Sequence, residues 1–126
     1  EFVAKAASVV KDGKFDELSK VIKELAKNGD DDQLGAFQKK LSKELGVDVS
    51  VKADGSYDLH FSKNFDPNAR DKAYDVKTVK FDKDGKVSSA EVTKHKGGFG
   101  KDVTEEIDAK ETLKELQKEI EKSKKK

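Results

Sequence analysis

Cysteine, methionine and tryptophan are absent from this sequence of 126 residues, and proline occurs only at Pro67. The lack of cysteine excludes disulfide bonds and thiolate metal sites, although it does not identify a cellular compartment. Long apolar runs are also absent, and none approaches the roughly 20 residues that a membrane-spanning helix needs. We therefore expect no membrane partner.

Hydrophobic residues are scarce as well, at 33% of the sequence against 42% charged residues. This composition predicts a thin core in a single small domain spanning 1–126, with a frayed basic tail at 123–126. The formal net charge is only +1, and the opposite charges are interspersed along the chain. Proteins that bind nucleic acid through bulk charge carry a larger basic excess, so we expect no specific nucleic-acid partner.

Glycines divide the first third of the chain into segments with helical spacing of apolar residues. These segments end at Gly13, Gly29 and Gly46, which predicts three helices with glycine stops. Asp16 is the predicted N-cap of the second helix, and the acidic run 30–32 suits the N-terminus of the third. The same run could suggest a metal site, but no other ligands lie at a set spacing from it. We expect no metal there.

Two stretches of alternating apolar residues flank Asp54-Gly55 and predict a β-hairpin. A two-residue turn would set Val51 opposite Asp58, whereas a three-residue loop sets Val51 opposite Tyr57. Cross-strand partners share a face, so the three-residue loop, with Gly55 at positive φ, is preferred. The resulting apolar face carries Val47, Val49, Val51, Tyr57, Leu59 and Phe61.

A second hairpin is predicted around Asp84-Gly85, with the same type of loop and Gly85 at positive φ. The predicted cross-strand partners are Phe81 with Val87, Val79 with Ser89, and Val76 with Val92.

This register leaves one inconsistency. Val79 and Phe81 fall on one face of the hairpin, whereas Val76 and Val92 fall on the other. A bulge near 77–78 would resolve it, and so would burial of opposite faces at the two ends of the hairpin. The sequence does not choose between these alternatives.

The segment 80–91 also resembles the twelve-residue calcium loop of an EF-hand, with Asp82, Asp84 and Glu91 at ligand positions. However, Lys80 occupies the first ligand position, where a carboxylate is needed. The flanking residues are rich in β-branched side chains, which favour strands over the two helices of an EF-hand. The sequence therefore predicts a hairpin without a calcium site.

The last helix could begin at Asp102, Thr104 or Asp108, and the last of these would form a capping box with Glu111. The predicted fold is α+β, with N-terminal helices, a four-stranded antiparallel sheet from two β-hairpins, and a long C-terminal helix. We expect the helices to pack on the apolar face of the first hairpin. Further core residues predicted are Leu18, Ile22, Leu25, Phe37, Leu41, Val79, Phe81, Leu113, Leu116 and Ile120.

The predicted binding site lies in a glycine-rich basic stretch and consists of Lys94, His95, Lys96, Phe99 and Lys101. Its backbone amides could hold an anion, but the spacing is not that of a phosphate-binding P-loop. A flexible linker is the alternative. We predict that Phe99 anchors a protein partner with an acidic surface, while the lysines steer its approach.

The two histidines give little support for an enzyme. His60 falls on the polar side of its strand and is interpreted as an exposed residue rather than a base or ligand. His95, together with Lys94, Lys96 or Lys101, forms the only cluster with catalytic potential. We therefore expect no catalytic residues, metal or cofactor.

The stretch E-F-V-A-K-A-A-S-V-V-K at residues 1–11 resembles the capsid-targeting segment of internal head proteins from T-even-type tailed phages. In that family a maturation protease cuts after a glutamate, and Lys5 stands at the corresponding position here. The resemblance implies a small, lysine-rich, non-catalytic protein that is packaged with DNA and injected to inhibit a host factor. It would then reside in the virion interior and later in the host cytoplasm.

The sequence leaves a second functional hypothesis open, a structural or periplasmic accessory binding domain of bacterial origin. Neither hypothesis indicates an oligomeric state.

Overall fold

The structure is a computed structural model that describes residues 2–29, 31–63, 73–96 and 100–124. In these ranges the chain forms four helices and five strands. The helices are α1 (Phe2–Lys11), α2 (Phe15–Asn28), α3 (Asp31–Leu45) and α4 (Ala109–Lys124). The strands are β1 (Asp48–Val51), β2 (Tyr57–Lys63), β3 (Tyr74–Phe81), β4 (Val87–His95) and β5 (Val103–Ile107).

The strands form one antiparallel sheet in the order β1-β2-β3-β4-β5. The α+β class is confirmed, but the prediction of four strands is wrong, because β5 adds a fifth. The last helix does not begin at Asp102 or Thr104. It begins after Asp108, whose Oδ2 accepts a hydrogen bond from the Glu111 amide at 3.1 Å. This is the N-cap position that the third predicted start implies.

Two other helix starts can be compared with the prediction. Asp16 is not the N-cap of α2, because the helix begins at Phe15 and Lys14 occupies the cap without a side-chain hydrogen bond. Asp16 lies in the first turn instead, where its charge suits the helix dipole. Helix α3 begins at Asp31, within the acidic run.

Both hairpin loops follow the prediction. Val51 lies opposite Tyr57, and Phe81 lies opposite Val87. The two glycines have positive φ, 98° at Gly55 and 79° at Gly85. Glycine adopts this conformation without steric strain because it has no Cβ atom.

A β-bulge interrupts the β3–β4 ladder, although not where the sequence suggested. Phe81 pairs with Val87 but the preceding Lys80 pairs with Ser89, so Ser88 is the extra residue on β4. The bulge therefore lies next to the turn and on the second strand, rather than near 77–78 on the first.

The bulge changes the partners of the remaining residues. Val79 lies opposite Ala90, and Val76 lies opposite Thr93 rather than Val92. Val79, Ala90 and Val92 consequently share the buried face, whereas Val76 remains on the other face and is half-buried.

All four helices contribute to one core that covers a single face of the sheet. The predicted apolar face of the first hairpin is buried in this core, although Val51 is only half-buried. Leu113, also predicted as core, is likewise half-buried. Buried residues outside the predicted core list include Ala6, Ala7, Val10, Phe15, Leu34 and Leu45.

Helix α2 is joined to the sheet by aromatic side chains. The Phe81 ring stacks on Phe15 at a centroid distance of 5.0 Å and on Tyr57 at 4.5 Å. The Tyr57 hydroxyl donates a hydrogen bond of 2.8 Å to the Phe15 carbonyl. Burial raises the pKa of Tyr57, which keeps this hydroxyl protonated and able to donate.

The two hairpin loops also meet α2. Ser19 Oγ donates a long hydrogen bond of 3.5 Å to the Asp82 carbonyl, and Lys23 Nζ lies 3.8 Å from an Asp84 carboxylate oxygen. The Lys23 side chain runs beneath Gly55, where a Cβ atom would lie 2.6 Å from Lys23 Cε. Helix α2 thus fixes the position of both loops relative to the core.

Candidate functional site at the β4–β5 end of the sheet

The predicted binding residues flank the connection between β4 and β5. Antiparallel pairing sets Lys94 opposite Val103, and it brings Lys94 Nζ to 3.4 Å from a carboxylate oxygen of Glu105. The sequence did not suggest this pair, because β5 was not predicted as a strand. Both side chains remain about half-exposed, so the pair contributes little to stability.

His95 is held in place on two sides. Its Nδ1 lies 2.7 Å from Asp102 Oδ2, and its ring stacks on Tyr74 with the centroids 4.6 Å apart. An ionised carboxylate only accepts hydrogen bonds, so Nδ1 carries the proton in this contact. Asp102 and Tyr74 together fix the orientation of the imidazole at the end of β4.

A histidine oriented by a carboxylate can serve as a base where a nucleophile or substrate adjoins it. In the part of the chain that the structure describes, no serine or threonine hydroxyl is hydrogen-bonded to His95. The contact between His95 and Asp102 instead joins the end of β4 to the residue that precedes β5, and so closes the base of the loop.

Between His95 and Asp102 in the sequence lie the other predicted binding residues, Lys96, Phe99 and Lys101. Lys96 and Lys101 are exposed, and neither forms an ion pair with another described residue. A Cβ atom at Gly100 would lie 2.5 Å from Lys96 Cβ, so the two ends of the loop approach closely there. Phe99, the predicted apolar anchor, lies outside the described residues.

His60 forms a second polar cluster, on the face of the sheet opposite the core. Its Nε2 lies 3.2 Å from Ser50 Oγ, and its Nδ1 lies 2.7 Å from the buried Thr78 Oγ1. His60 does point away from the apolar face, as predicted, but it is half-buried and both ring nitrogens have hydroxyl partners. Ser50 belongs to the same hairpin as His60, but finding Thr78 requires the register between β2 and β3, which hairpin reasoning does not supply.

A shallow depression of about 440 Å³ adjoins His60 at the β1 edge of the sheet. Ser42 and Lys43 of α3, Asp48 of β1 and Glu119 of α4 are among its lining residues. It is open to solvent, and its charged side chains are of both signs.

The calcium-like segment is a hairpin. Lys80 Nζ lies 3.0 Å from Glu91 Oε1, so the first and twelfth positions of the supposed loop pair with each other. The hydrogen bond that Lys80 donates to the Glu91 carboxylate, together with the negative charge of Glu91, raises the pKa of Lys80. Asp82 Oδ1 accepts backbone hydrogen bonds from Asp84 at 2.9 Å and Lys86 at 3.0 Å.

No group of three or more potential metal ligands occurs among the described residues. Among the same residues, no helix is long and apolar enough to cross a membrane.

Comparisons of the chain with protein-family models, curated proteins and solved structures gave no match.

Proposed function

We propose that this chain is a small non-catalytic binding protein that holds an acidic protein surface at the β4–β5 end of its sheet. The observation that supports this proposal is the pair of exposed lysines, Lys96 and Lys101, on a base closed by His95 and Asp102. Neither lysine is neutralised by another described residue, although the net charge of the whole chain is close to zero.

Exposed charges of this kind act mainly on the rate of encounter. A single exposed ion pair contributes only about 0–1 kcal/mol, so two lysines would add little to final affinity. Their field nevertheless attracts a negatively charged surface before contact, which raises the association rate and makes it sensitive to salt. An apolar side chain in the loop, Phe99, would then slow dissociation.

The biological setting proposed is that of a phage internal head protein, packaged with DNA and injected to inhibit a host factor. The resemblance of residues 1–11 to the capsid-targeting segment supports this setting, as do the high lysine content and the lack of cysteine. These residues overlap α1, in which Ala6 and Val10 are buried. With Lys5 in place of the cleavage-site glutamate, α1 would remain part of the mature fold.

The proposal is tested by capturing proteins from a bacterial lysate on the immobilised chain. The test variant is Lys96→Gln/Lys101→Gln, and the matched control is Lys5→Gln/Lys118→Gln, which removes two exposed lysines from the helices. We expect the wild type and the control to retain the same acidic protein. The test variant should bind it with a slower association rate and a flatter salt dependence. Equal association rates for both variants would contradict the proposed site, and failure of the wild type to capture any protein would contradict the proposed function.

Phe99→Ala tests the proposed anchor separately. We expect faster dissociation of the captured protein, with the unfolding midpoint close to that of the wild type. Loss of the folded domain would instead show that Phe99 is a structural residue.

A further inference from the structure

The two edge strands of the sheet differ in whether other residues bind their outward-facing backbone groups. At the β1 edge, helix α3 supplies side chains to the strand's outward-facing amides. The Val49 amide donates a 2.8 Å hydrogen bond to Ser42 Oγ, and the Val51 amide donates a 2.9 Å hydrogen bond to Gln38 Oε1. These contacts occupy the backbone groups to which a further strand would have to bind.

The β5 edge has no such cover in the part of the chain that the structure describes. In an antiparallel strand the backbone groups of successive residues point alternately to the two neighbouring strands. Lys52 and Ser56 bond to each other, and applying the alternation from this pair through the registers of all five strands shows that the backbone groups of Thr104 and Glu106 point away from β4. No hydrogen bond from another described residue reaches these outward groups. Four of the five residues of β5 are exposed, and the fifth, Ile107, is half-buried.

We propose that β5 is a strand-addition site that binds an extended, basic segment of a partner protein. The backbone groups of Thr104 and Glu106 would provide the main-chain hydrogen bonds, as in other complexes formed by β-augmentation. Side chains on both faces of β5 would select the sequence of the added strand.

The charges of β5 disfavour a second copy of this chain as the occupant. Symmetric antiparallel pairing about Glu105 would set the two Glu105 carboxylates opposite each other, and pairing about Glu106 would do the same for Glu106. Pairing about Thr104 would set Asp102 opposite Glu106. These are the three symmetric registers that pair outward-facing residues with each other and overlap β5 with itself over at least three residues, and each places like charges directly opposite one another, which destabilises a strand pair.

The same charges favour a basic strand. Glu106 is exposed, has no ion-pair partner among the described residues, and lies opposite Glu91 on the open face of the sheet. A lysine or arginine in the added strand would therefore meet uncompensated negative charge there. On the other face, Val103 is 39% exposed and offers an apolar contact. The favoured segment thus alternates basic residues with β-branched ones.

This inference does not depend on the proposed function. The acidic surface proposed above would bind at Lys96 and Lys101, whereas the basic strand would bind along β5, so the variants at one surface serve as controls for the other.

The probe is a capped seven-residue peptide of alternating valine and lysine, titrated into the isotope-labelled full chain and followed by amide NMR. The control peptide replaces each lysine with glutamate. We expect saturable shifts and slowed hydrogen exchange at Thr104 and Glu106 with the basic peptide only. Shifts confined to other residues, or equal binding of both peptides, would overturn the proposal. Concentration-dependent shifts at β5 without peptide would also overturn it, since the occupant would then be a second copy.

Three substitutions at Glu106 separate the contribution of its backbone amide to peptide binding from the contribution of its side-chain charge. Glu106→Pro removes the outward amide while leaving the amides that face β4 intact, and should abolish peptide binding. Glu106→Gln keeps the amide and should weaken binding about two- to fivefold. Should the proline variant not fold, Glu106→Lys supplies the decisive measurement, because it should weaken the basic peptide further and strengthen the acidic one. Unchanged binding by Glu106→Lys would overturn the proposal.

Discussion

Gly55 and Gly85 occupy equivalent positions in the two hairpin loops, yet their surroundings differ. Both have positive φ, so any other residue is strained at either position. A Cβ atom at Gly55 would meet the flexible Lys23 side chain, which can move, and would lie 3.1 Å from the Lys83 carbonyl oxygen. A Cβ atom at Gly85 would overlap Asp16 Cα and lie 2.7 Å from the Phe15 carbonyl oxygen, and these are backbone atoms of α2.

We therefore expect Gly85→Ala to destabilise the protein more than Gly55→Ala. The left-handed conformation alone costs about 1–2 kcal/mol for an alanine, and Gly85→Ala adds the displacement of α2. Urea unfolding at neutral pH measures both losses. Gly35→Ala is the control, since Gly35 is exposed in α3 and its added Cβ would meet no described atom within 4 Å beyond the backbone of its own helix. It should stabilise by about 0.5–1 kcal/mol. Equal losses at Gly55 and Gly85 would contradict the close packing of the second loop on α2.

Asp82 is a second residue whose contribution to stability can be measured separately. Hydrogen bonds from the Lys86 and Asp84 amides hold the pKa of Asp82 below its ordinary value. A depressed pKa in the folded state means that the charged carboxylate contributes stability above the pKa of the unfolded chain. That contribution is lost as the pH falls through the lower pKa of the folded state.

Asp82→Asn, which keeps the accepting oxygen but removes the charge, should therefore destabilise the protein at pH 7. The difference in unfolding free energy from the wild type should shrink as the pH is lowered below about 4, where the unfolded carboxyl begins to protonate. Chemical unfolding at a series of pH values gives this difference. Asp12→Asn is the control, because Asp12 is exposed and no described residue donates a hydrogen bond to its carboxylate, and it should cost less stability than Asp82→Asn at pH 7. A difference that stays constant down to pH 2 would contradict the role of the charge.

At the scale of elements, counting residues between apolar positions predicted both three-residue loops but did not locate the bulge. Alternation is broken twice in the second hairpin, between Val76 and Val79 on β3 and between Val87 and Ala90 on β4. The sequence left two explanations open, a bulge near 77–78 on β3 or burial of opposite faces at the two ends of the hairpin. The structure places the bulge at Ser88 on β4 and leaves Val76 on the open face. Tertiary packing decides which of the two strands carries the bulge, and the spacing of apolar residues in the sequence does not reveal that packing.

Strand β5 was missed for a related reason. Thr104, Glu105 and Glu106 are typical of a helix N-terminus, and only Val103 and Ile107 favour a strand. The strand forms because β4 presents an unpaired edge to it, and such a neighbour is invisible to local patterns. The same omission hid the ion pair between Lys94 and Glu105.

The β3–β4 hairpin also yields a prediction about calcium. Its Lys80 and Glu91 side chains pair with each other, and the Asp82 carboxylate already accepts two backbone hydrogen bonds. We expect about 1 mM calcium to leave both the melting temperature and the amide NMR shifts of 82–91 unchanged. Saturable shifts there, with stabilisation that grows with calcium concentration, would contradict this expectation. Magnesium at the same concentration controls for ionic strength.

At the scale of the whole molecule, the sequence predicted one α+β layer arrangement with the helices on one face of the sheet. It could do so because the apolar residues of 47–51 and 57–61 alternate cleanly, and this leaves one face polar. The predicted binding residues were chosen because the basic stretch 94–101 is continuous in the sequence. The contact of His95 with Tyr74 depends on the bulge in the β3–β4 hairpin, and that of His60 with Thr78 depends on the pairing of β2 with β3.

The junction between α2 and the second hairpin has a consequence for synthesis on the ribosome. Ser19 and Asp82, which it joins, are separated by 63 positions. At about 5–20 residues per second, translation needs roughly 3–13 s to reach the second partner after the first. During this interval α2 can contact the neighbouring helices and, later, the first hairpin, but the surface that receives Phe81 stays open to chaperones or to neighbouring nascent chains. Slowing translation between the two positions should therefore lower the yield of folded protein without altering its final stability.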